Sequence, residues 1–226
     1  MGNIDISILN DLTAFDSATV QNAAIRIRGY IPADQDYSSP ALKRYTGEPA
    51  TVVGIATTLK ATAVNEPKSD PLQWKDYYEK ISSLDYPYIS IIEDADKPRN
   101  RAALFGDNMA FMHACLGAAG VIACGAIRDV PGIQGSGLSV WAEGRVPGHG
   151  PFNAISLGAQ VEVSGLIVDE GDVLVADGDG VTKVSLEILD KIIDMCEEVR
   201  RDEARTQKFF SVKDKTRYKT WVSKDA

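Results

Sequence analysis

The chain has 226 residues, of which 44% are hydrophobic and 25% charged, with a formal net charge of -8. That is enough apolar material for one sizeable core, and the acidic balance argues against the basic stripe with which nucleic-acid binders track phosphates. Three widely spaced cysteines, Cys115, Cys124 and Cys196, make neither a disulfide framework nor a zinc-ligand spacing. They suit a reducing cytoplasm, with Cys115 and Cys124 as small core residues in apolar surroundings.

The N-terminus, Met1 to Asn10, carries Asp5 and lacks the basic segment and apolar run of a signal peptide. No run of about 18 apolar residues marks a membrane span. Residues 7–25 read as two helices, with Ile8, Leu9, Leu12 and Phe15 near helical spacing and Asp16, Ser17 and Thr19 as cap residues for the second. Arg26–Pro40 reads as loop, Ala41–Tyr45 as a short helix, and the β-branched Val52–Ala63 as a strand. A polar excursion over Val64–Gln73 precedes a helix over Trp74–Leu84, a buried strand over Tyr88–Ile92 and a charged loop over Glu93–Arg101.

Gly106–Ala119 reads as a helix with Met109, Met112, His113 and Leu116 on one face, ended by Gly117 and Gly120. The continuous apolar run Val121–Ile127 predicts a strand buried on both faces. Leu138–Ala142 predicts another strand and Gly144–Gly150 a Gly/Pro loop. Beyond Ile155 short strands follow at Val161–Val163, Leu166–Val168, Val173–Ala176 and Val181–Val184. Asp177–Gly180 between the last two is a hairpin turn, because it supplies residues that tolerate φ > 0. Leu186–Arg205 predicts a long amphipathic helix with Leu186, Leu189, Ile193 and Cys196 on one side. Thr206–Ala226 reads as a polar tail with Phe209, Phe210, Tyr218 and Trp221. The basic residues of Arg200–Arg205 and Lys213–Lys224 alternate with acids as on a solvated face. These elements predict one α/β domain over 1–205, a central mixed sheet with flanking helices, and a tail over 206–226.

Two sequence points carry chemistry. Asp107, following Gly106, opens a helix; read alone it is an N-cap, but free N–H groups at a helix start also bind carboxylates. Arg128-Asp129 follows the buried strand at once, where ligands gather in α/β sheets. If the intervening helix packs antiparallel to that strand, Asp107, Arg128 and Asp129 meet at one sheet edge. Two carboxylates with waters suit a hard cation such as Mg²⁺, and an arginine fork suits a carboxylate or an enolate oxygen.

The D-x20-R-D spacing of Asp107, Arg128 and Asp129, with Val53–Thr58 (VGIATT), Gly120–Asp129 (GVIACGAIRD) and Ala176–Val181 (ADGDGV), resembles the family of class II pyruvate aldolases of the 4-hydroxy-4-methyl-2-oxoglutarate type. The same RraA-like family contains the regulator of ribonuclease activity A, and the resemblance spans roughly residues 8–205. It implies a swivelling β/β/α-type fold and a homotrimer or hexamer with sites between subunits. It assigns Asp129 as direct ligand of Mg²⁺ or Mn²⁺ and Asp107 as holding the ion through water and aiding proton transfer. Arg128 would hold the pyruvyl group, and the amides near Asn108 and Met109 would receive the substrate carboxylate. Glu203, late in the C-terminal helix, is the match for a glutamate that reaches a neighbour's site.

The implied activity is retro-aldol release of pyruvate from a 4-hydroxy-2-oxo acid, with oxaloacetate decarboxylation through the same enolate. A non-catalytic regulator that binds proteins of RNA decay, or a lyase acting on a sugar acid, is the alternative. The chain departs from the pattern at Gly132, where many aldolase members carry an acidic residue, and in the longer segment Val64–Tyr86.

Other signals are weaker. Asp177-Gly178-Asp179-Gly180 begins like a calcium loop, but Val181 and Ile188 fall where ligands are needed. Gly132–Gly137 lacks the strand–helix context of a dinucleotide fingerprint, and Ser136 and Ser139 lack a nucleophile elbow. His113 reads as a partly buried packing residue. His149, in the Gly-rich loop, can face a pocket. Two histidines exclude a histidine-based metal cluster.

Overall fold

The computed structural model describes residues 4–30, 36–65 and 74–222. Two helices open it, α1 (Ile6–Leu12) and α2 (Ser17–Arg28). Asp16 caps α2 as its sequence position implies, accepting from the Thr19 amide at 2.7 Å. The middle of the chain contributes β1 (Lys43–Thr46), β2 (Val52–Thr62), α3 (Trp74–Ser82), β3 (Tyr88–Asp94), β4 (Ala103–Phe105), α4 (Asp107–Cys115), β5 (Ala118–Ile127), α5 (Val130–Gly135) and β6 (Ser139–Arg145). Five short strands follow: β7 (Asn153–Leu157), β8 (Val161–Val163), β9 (Leu166–Val168), β10 (Val173–Ala176) and β11 (Val181–Val184). Helices α6 (Ile192–Phe210) and α7 (Thr216–Val222) close the described chain.

Nine strands form one mixed, curled sheet in the order β1-β6-β5-β3-β2-β10-β11. The strands β2, β3, β5 and β6 run parallel, and antiparallel strands finish both edges. The curl arises where partners change along a strand. Strand β3 pairs with β5 as far as Cys124, and β4 then takes its place beside Ala126 and Ile127. Strand β2 likewise pairs with β10 over Val52–Ile55 and with β7 over 59–62.

One face of the sheet packs on the helices. Leu59, Ile92, Val121 and Val140 meet Tyr77, Ile81 and Ala110 of α3 and α4, while Val53, Ile55 and Val175 meet α1, α2 and α6. The other face, with Ile89, Ile91, Ile122 and Trp141, is covered by the separate β8–β9 hairpin. The layers are therefore hairpin, sheet and helices, the β/β/α order expected. Val121 to Ile127 are buried throughout, and each large side chain so placed stabilises the fold by about 1.5–3 kcal/mol.

Several expectations are corrected. Ala41–Tyr45 is not a helix: Lys43–Thr46 is an edge strand antiparallel to β6, with the Arg44 guanidinium 5.1 Å from the Trp141 ring centre. The helix expected over 106–119 stops at Cys115, because Gly117 takes φ +82 and β5 begins at Ala118. Cys115 is exposed, whereas Cys124 and Cys196 are buried. Residues 186–205 are not one helix: Ser185 caps a single 3-10 turn, Leu186–Ile188, before α6 starts, and Leu186 is exposed. The segment read as a tail is helical over 206–210, within α6, and again in α7. Most of the excursion over Val64–Gln73 lies outside the described residues. The hairpin at Asp177–Gly180 forms as expected, its ends joined by the bond from the Asp177 amide to the Gly180 carbonyl at 2.9 Å.

Candidate functional site

Strand β5 delivers Arg128 and Asp129, and β4 delivers Gly106 and Asp107, to the same edge. The Arg128 amide donates to the Phe105 carbonyl at 3.0 Å, which ties the two strand ends together. Asp129 adopts the left-handed conformation, φ +56, uncommon for a residue other than glycine. That turn starts α5 directly, with the Ile133 amide donating to the Asp129 carbonyl at 2.9 Å. Helices α4 and α5 thus begin side by side.

Asp107 is not an N-cap. Gly106 occupies that position and offers no capping side chain, so Asp107 is the first helical residue and its carboxylate accepts from the Asn108 amide at 2.7 Å. The remaining first-turn N–H groups lack intrahelical partners. Two glycines then fix how closely the acids approach. A Cβ on Gly106 would stand 3.2 Å from Oδ2 of Asp129 and 3.5 Å from Cγ of Arg128. A Cβ on Gly132 would stand 2.7 Å from Cβ and 2.8 Å from Oδ2 of Asp107. Gly132, read from sequence as a departure, is what makes room for Asp107.

Arg128 forms an ion pair with Asp129, Nε lying 3.1 Å from Oδ2. Among the described residues its two terminal nitrogens have no protein partner, so the fork is open to a ligand oxyanion. Asp107, Asn108, Met109 and Arg128 line one cavity of about 190 Å³, together with His149 and Phe152. Asp129 and Arg128 line an adjoining cavity with Arg145 and Pro147. Glu203 is not at either cavity. It sits on α6, where it accepts from Asn22 Nδ2 at 3.3 Å.

Sequence reasoning missed the support behind α4. His113 is fully rather than partly buried: Nε2 lies 2.7 Å from the Tyr77 hydroxyl, which also bonds Ser90, and Nδ1 lies 2.7 Å from the Met109 carbonyl. Burial pushes its pKa down to about 4. It missed Trp74 as well, whose ring stacks on Phe152 with centroids 4.5 Å apart. No local signal marks either partnership, since α3 reaches both only in the folded chain.

Among the described residues no group of three or more His, Cys, Asp or Glu side chains converges. The donor set at the edge is two carboxylates, Asp107 half-buried and Asp129 exposed. That set fits Mg²⁺ or Mn²⁺, which are commonly held by one or two carboxylates with the rest of the shell water. It does not fit a closed structural metal cage. No described helix is long and apolar enough to cross a membrane.

The RraA-like family model, described as Aldolase/RraA, matches residues 20–182. An uncharacterized protein of Methanocaldococcus jannaschii is 27% identical over 133 residues, a stretch that covers 58% of this chain and 64% of that relative. The Streptomyces coelicolor protein RraAS2, described as an unusual member of the RNase ES inhibitor RraA family, superposes with TM-score 0.71 at 20% identity. That match covers 92% of this chain and 98% of its own. A protein described among novel cellulases from microbes associated with the gut ecosystem superposes with TM-score 0.73 at 18% identity, over 91% and 89% of the two chains. At such identities the structural likenesses speak for the fold alone, which they share with the single mixed α/β domain found here. With the family model spanning most of its length, this chain belongs to the RraA-like family, which holds both aldolases and RraA regulators.

Proposed function

We propose that the protein is a divalent-metal-dependent carbon–carbon lyase that releases pyruvate from a 4-hydroxy-2-oxo acid and decarboxylates oxaloacetate. The observation that supports this most is the meeting of Asp107, Arg128 and Asp129 at one sheet edge, where Asp107 and Arg128 line the cavity at the start of α4 and Asp129 pairs with Arg128 from the adjoining cavity.

In this reading the open first-turn amides of α4 bind the substrate carboxylate, aided by the positive end of the helix dipole. The terminal nitrogens of Arg128 hydrogen-bond the 2-oxo oxygen. Asp107 accepts the proton of the 4-hydroxyl group, directly or through one water. The C3–C4 bond then breaks, C4 becomes a carbonyl, and the electron pair passes into the pyruvate enolate, whose developing charge faces Arg128. Protonation at C3 gives pyruvate. Asp129 and Asp107 are the residues that would hold Mg²⁺ or Mn²⁺, and the ion when bound would supply Lewis-acid polarisation of the 2-oxo acid. Asp129 is further held by its ion pair with the Arg128 guanidinium. We assign Glu203 to a neighbouring subunit's site in a trimer or hexamer.

The test is a coupled pyruvate-release assay on a panel of 4-hydroxy-2-oxo acids and oxaloacetate. Release should stop with chelator and return with Mg²⁺. Arg128→Ala and Asp129→Ala should each abolish it. Undiminished release in both variants would overturn the assignment.

A further inference from the structure

The cavity beside α4 gathers its charged side chains at one side. Among its described lining residues Asp107, Asn108 and Arg128 gather at the start of α4, and Arg128 is the single permanent cation. The rest of the lining is mostly apolar, with Leu104, Met109 and Phe152 prominent and His149 as a further polar side chain. Arg145 is turned away from it: its guanidinium lies over the Tyr45 ring, 5.5 Å from the centre, and it lines the adjoining cavity. A substrate that spends Arg128 on its pyruvyl end therefore finds, among the described residues of this chain, no second permanent cation in the lining for another carboxylate.

The apolar wall is also firmly built. Phe152 has φ +62, a conformation that costs a bulky residue and persists only where its surroundings impose it. They do so here. The Trp74 ring stacks on Phe152 at 15° between planes, and Trp74 Nε1 donates to the Phe152 carbonyl at 3.2 Å. Upstream, the rim loop is fastened by the Ala103 amide donating to the Gly148 carbonyl at 2.8 Å. Gly150 packs so tightly on the Ala63 carbonyl that no Cβ would fit there. A ring fixed on a cavity wall by stacking and backbone bonds is pre-organised to receive another flat apolar group.

Resting on the lyase reading of this site, we propose that its substrate carries an uncharged, aromatic group on C4. Phe152 is the specificity-determining residue, and Trp74 is the residue that positions it. Cleavage of such a substrate breaks C3–C4, leaves the former 4-hydroxyl oxygen on an aromatic aldehyde, and returns the proton to C3 of pyruvate. Discrimination between an apolar and a charged tail then comes from the missing cation as much as from the ring contact.

Binding and cleavage test this separately. Calorimetry with the uncleavable analogue 4-phenyl-2-oxobutanoate should give binding at least tenfold tighter than with 2-oxoglutarate, in the presence of Mg²⁺. In Trp74→Leu and in Phe152→Ser that ratio should collapse to within about threefold, a change of selectivity that general loosening of the fold would not produce. Equal or tighter binding of 2-oxoglutarate by the native protein, or a ratio unmoved in both variants, would overturn the proposal. Pyruvate release is then measured from 4-hydroxy-2-oxo-4-phenylbutanoate and from its 4-carboxylate counterpart. Preference for the phenyl substrate supports the proposal. Preference for the carboxylate sinks it and leaves the lyase reading standing. Selective binding of the phenyl analogue with no cleavage of any substrate sinks the lyase reading and leaves the specificity of the cavity standing.

Discussion

Four aspartates divide the molecule into two kinds of site. Asp96, 2% exposed, accepts from the amides of Ala63, Val64 and Asn65 and from Asn65 Nδ2, at 2.7–3.0 Å. Asp177 is buried beside α2 and accepts from the Ser17 amide and hydroxyl and from the Asp179 amide. Asp107, half-buried, and Asp129, exposed, stand by contrast at the walls of two adjoining cavities, and each has one partner among the described residues, the Asn108 amide at 2.7 Å for Asp107 and the Arg128 guanidinium at 3.1 Å for Asp129. A carboxylate that has filled its lone pairs with backbone donors holds chain together. One that keeps lone pairs open toward a cavity is available to a ligand or a proton.

The sharpest way to break this comparison is to remove one acid of each kind. Asp129→Ala should lower kcat/KM for pyruvate release by a factor on the order of a thousand or more while leaving the urea midpoint almost unchanged. Asp96→Ala should do the reverse. It strands the buried Ala63 amide and the part-buried amides of Val64 and Asn65 and should cost about 3 kcal/mol of unfolding free energy, with residual activity in the protein that remains folded. A large loss of stability in the Asp129 variant would erase the distinction.

A smaller effect should come from Gly132→Ala. The added methyl group meets Asp107 at 2.7–2.8 Å, so the carboxylate must shift. Displacement of a catalytic group by about 1 Å costs roughly a hundredfold in rate. The check is kcat at saturating substrate, with the circular dichroism spectrum confirming that the sheet is intact. Activity equal to the native protein would show that Asp107 has slack, and would weaken its role as proton acceptor. Gly132→Glu, which restores the acid many aldolases carry there, should be at least as damaging.

How much of this was legible beforehand follows from the range of each signal. The buried strand β5, the turn at Asp177–Gly180 and the cap at Asp16 were readable because each is written in adjacent residues. So was the convergence of Asp107 with Arg128, since one helix and one strand separate them. Strand β4 is three residues long and exists only beside the end of β5. Helix α5 is spelled Val-Pro-Gly-Ile-Gln-Gly, which reads as loop until the left-handed turn at Asp129 starts it. Gly132 looked like a missing acid because its neighbour Asp107 lies on another helix. Trp74 and Phe152, 78 residues apart, meet only through tertiary packing.

The smallest predicted effect tests the two ends of α4 against each other. Asp107 begins that helix at the open cavity, and His113 lies near its other end, fully buried. The two contacts of His113 fix its neutral form, with Nδ1–H donating to the Met109 carbonyl and Nε2 accepting from the Tyr77 hydroxyl. Desolvation drives its pKa down to about 4, against the weaker upward pull of the Met109 bond. An unfolded histidine titrates near 6.5, so below that pH the unfolded chain binds the proton and the folded chain resists it. The stabilising term is therefore complete above about pH 6.5 and is lost as pH falls toward about 4. Between pH 8 and pH 5 the loss from this residue comes to about 2 kcal/mol. Gln in its place can keep both hydrogen bonds without titrating. Urea unfolding at the two pH values should show the native protein losing about 2 kcal/mol more than His113→Gln. An equal loss in both proteins would mean that the buried end of α4 carries no such proton linkage.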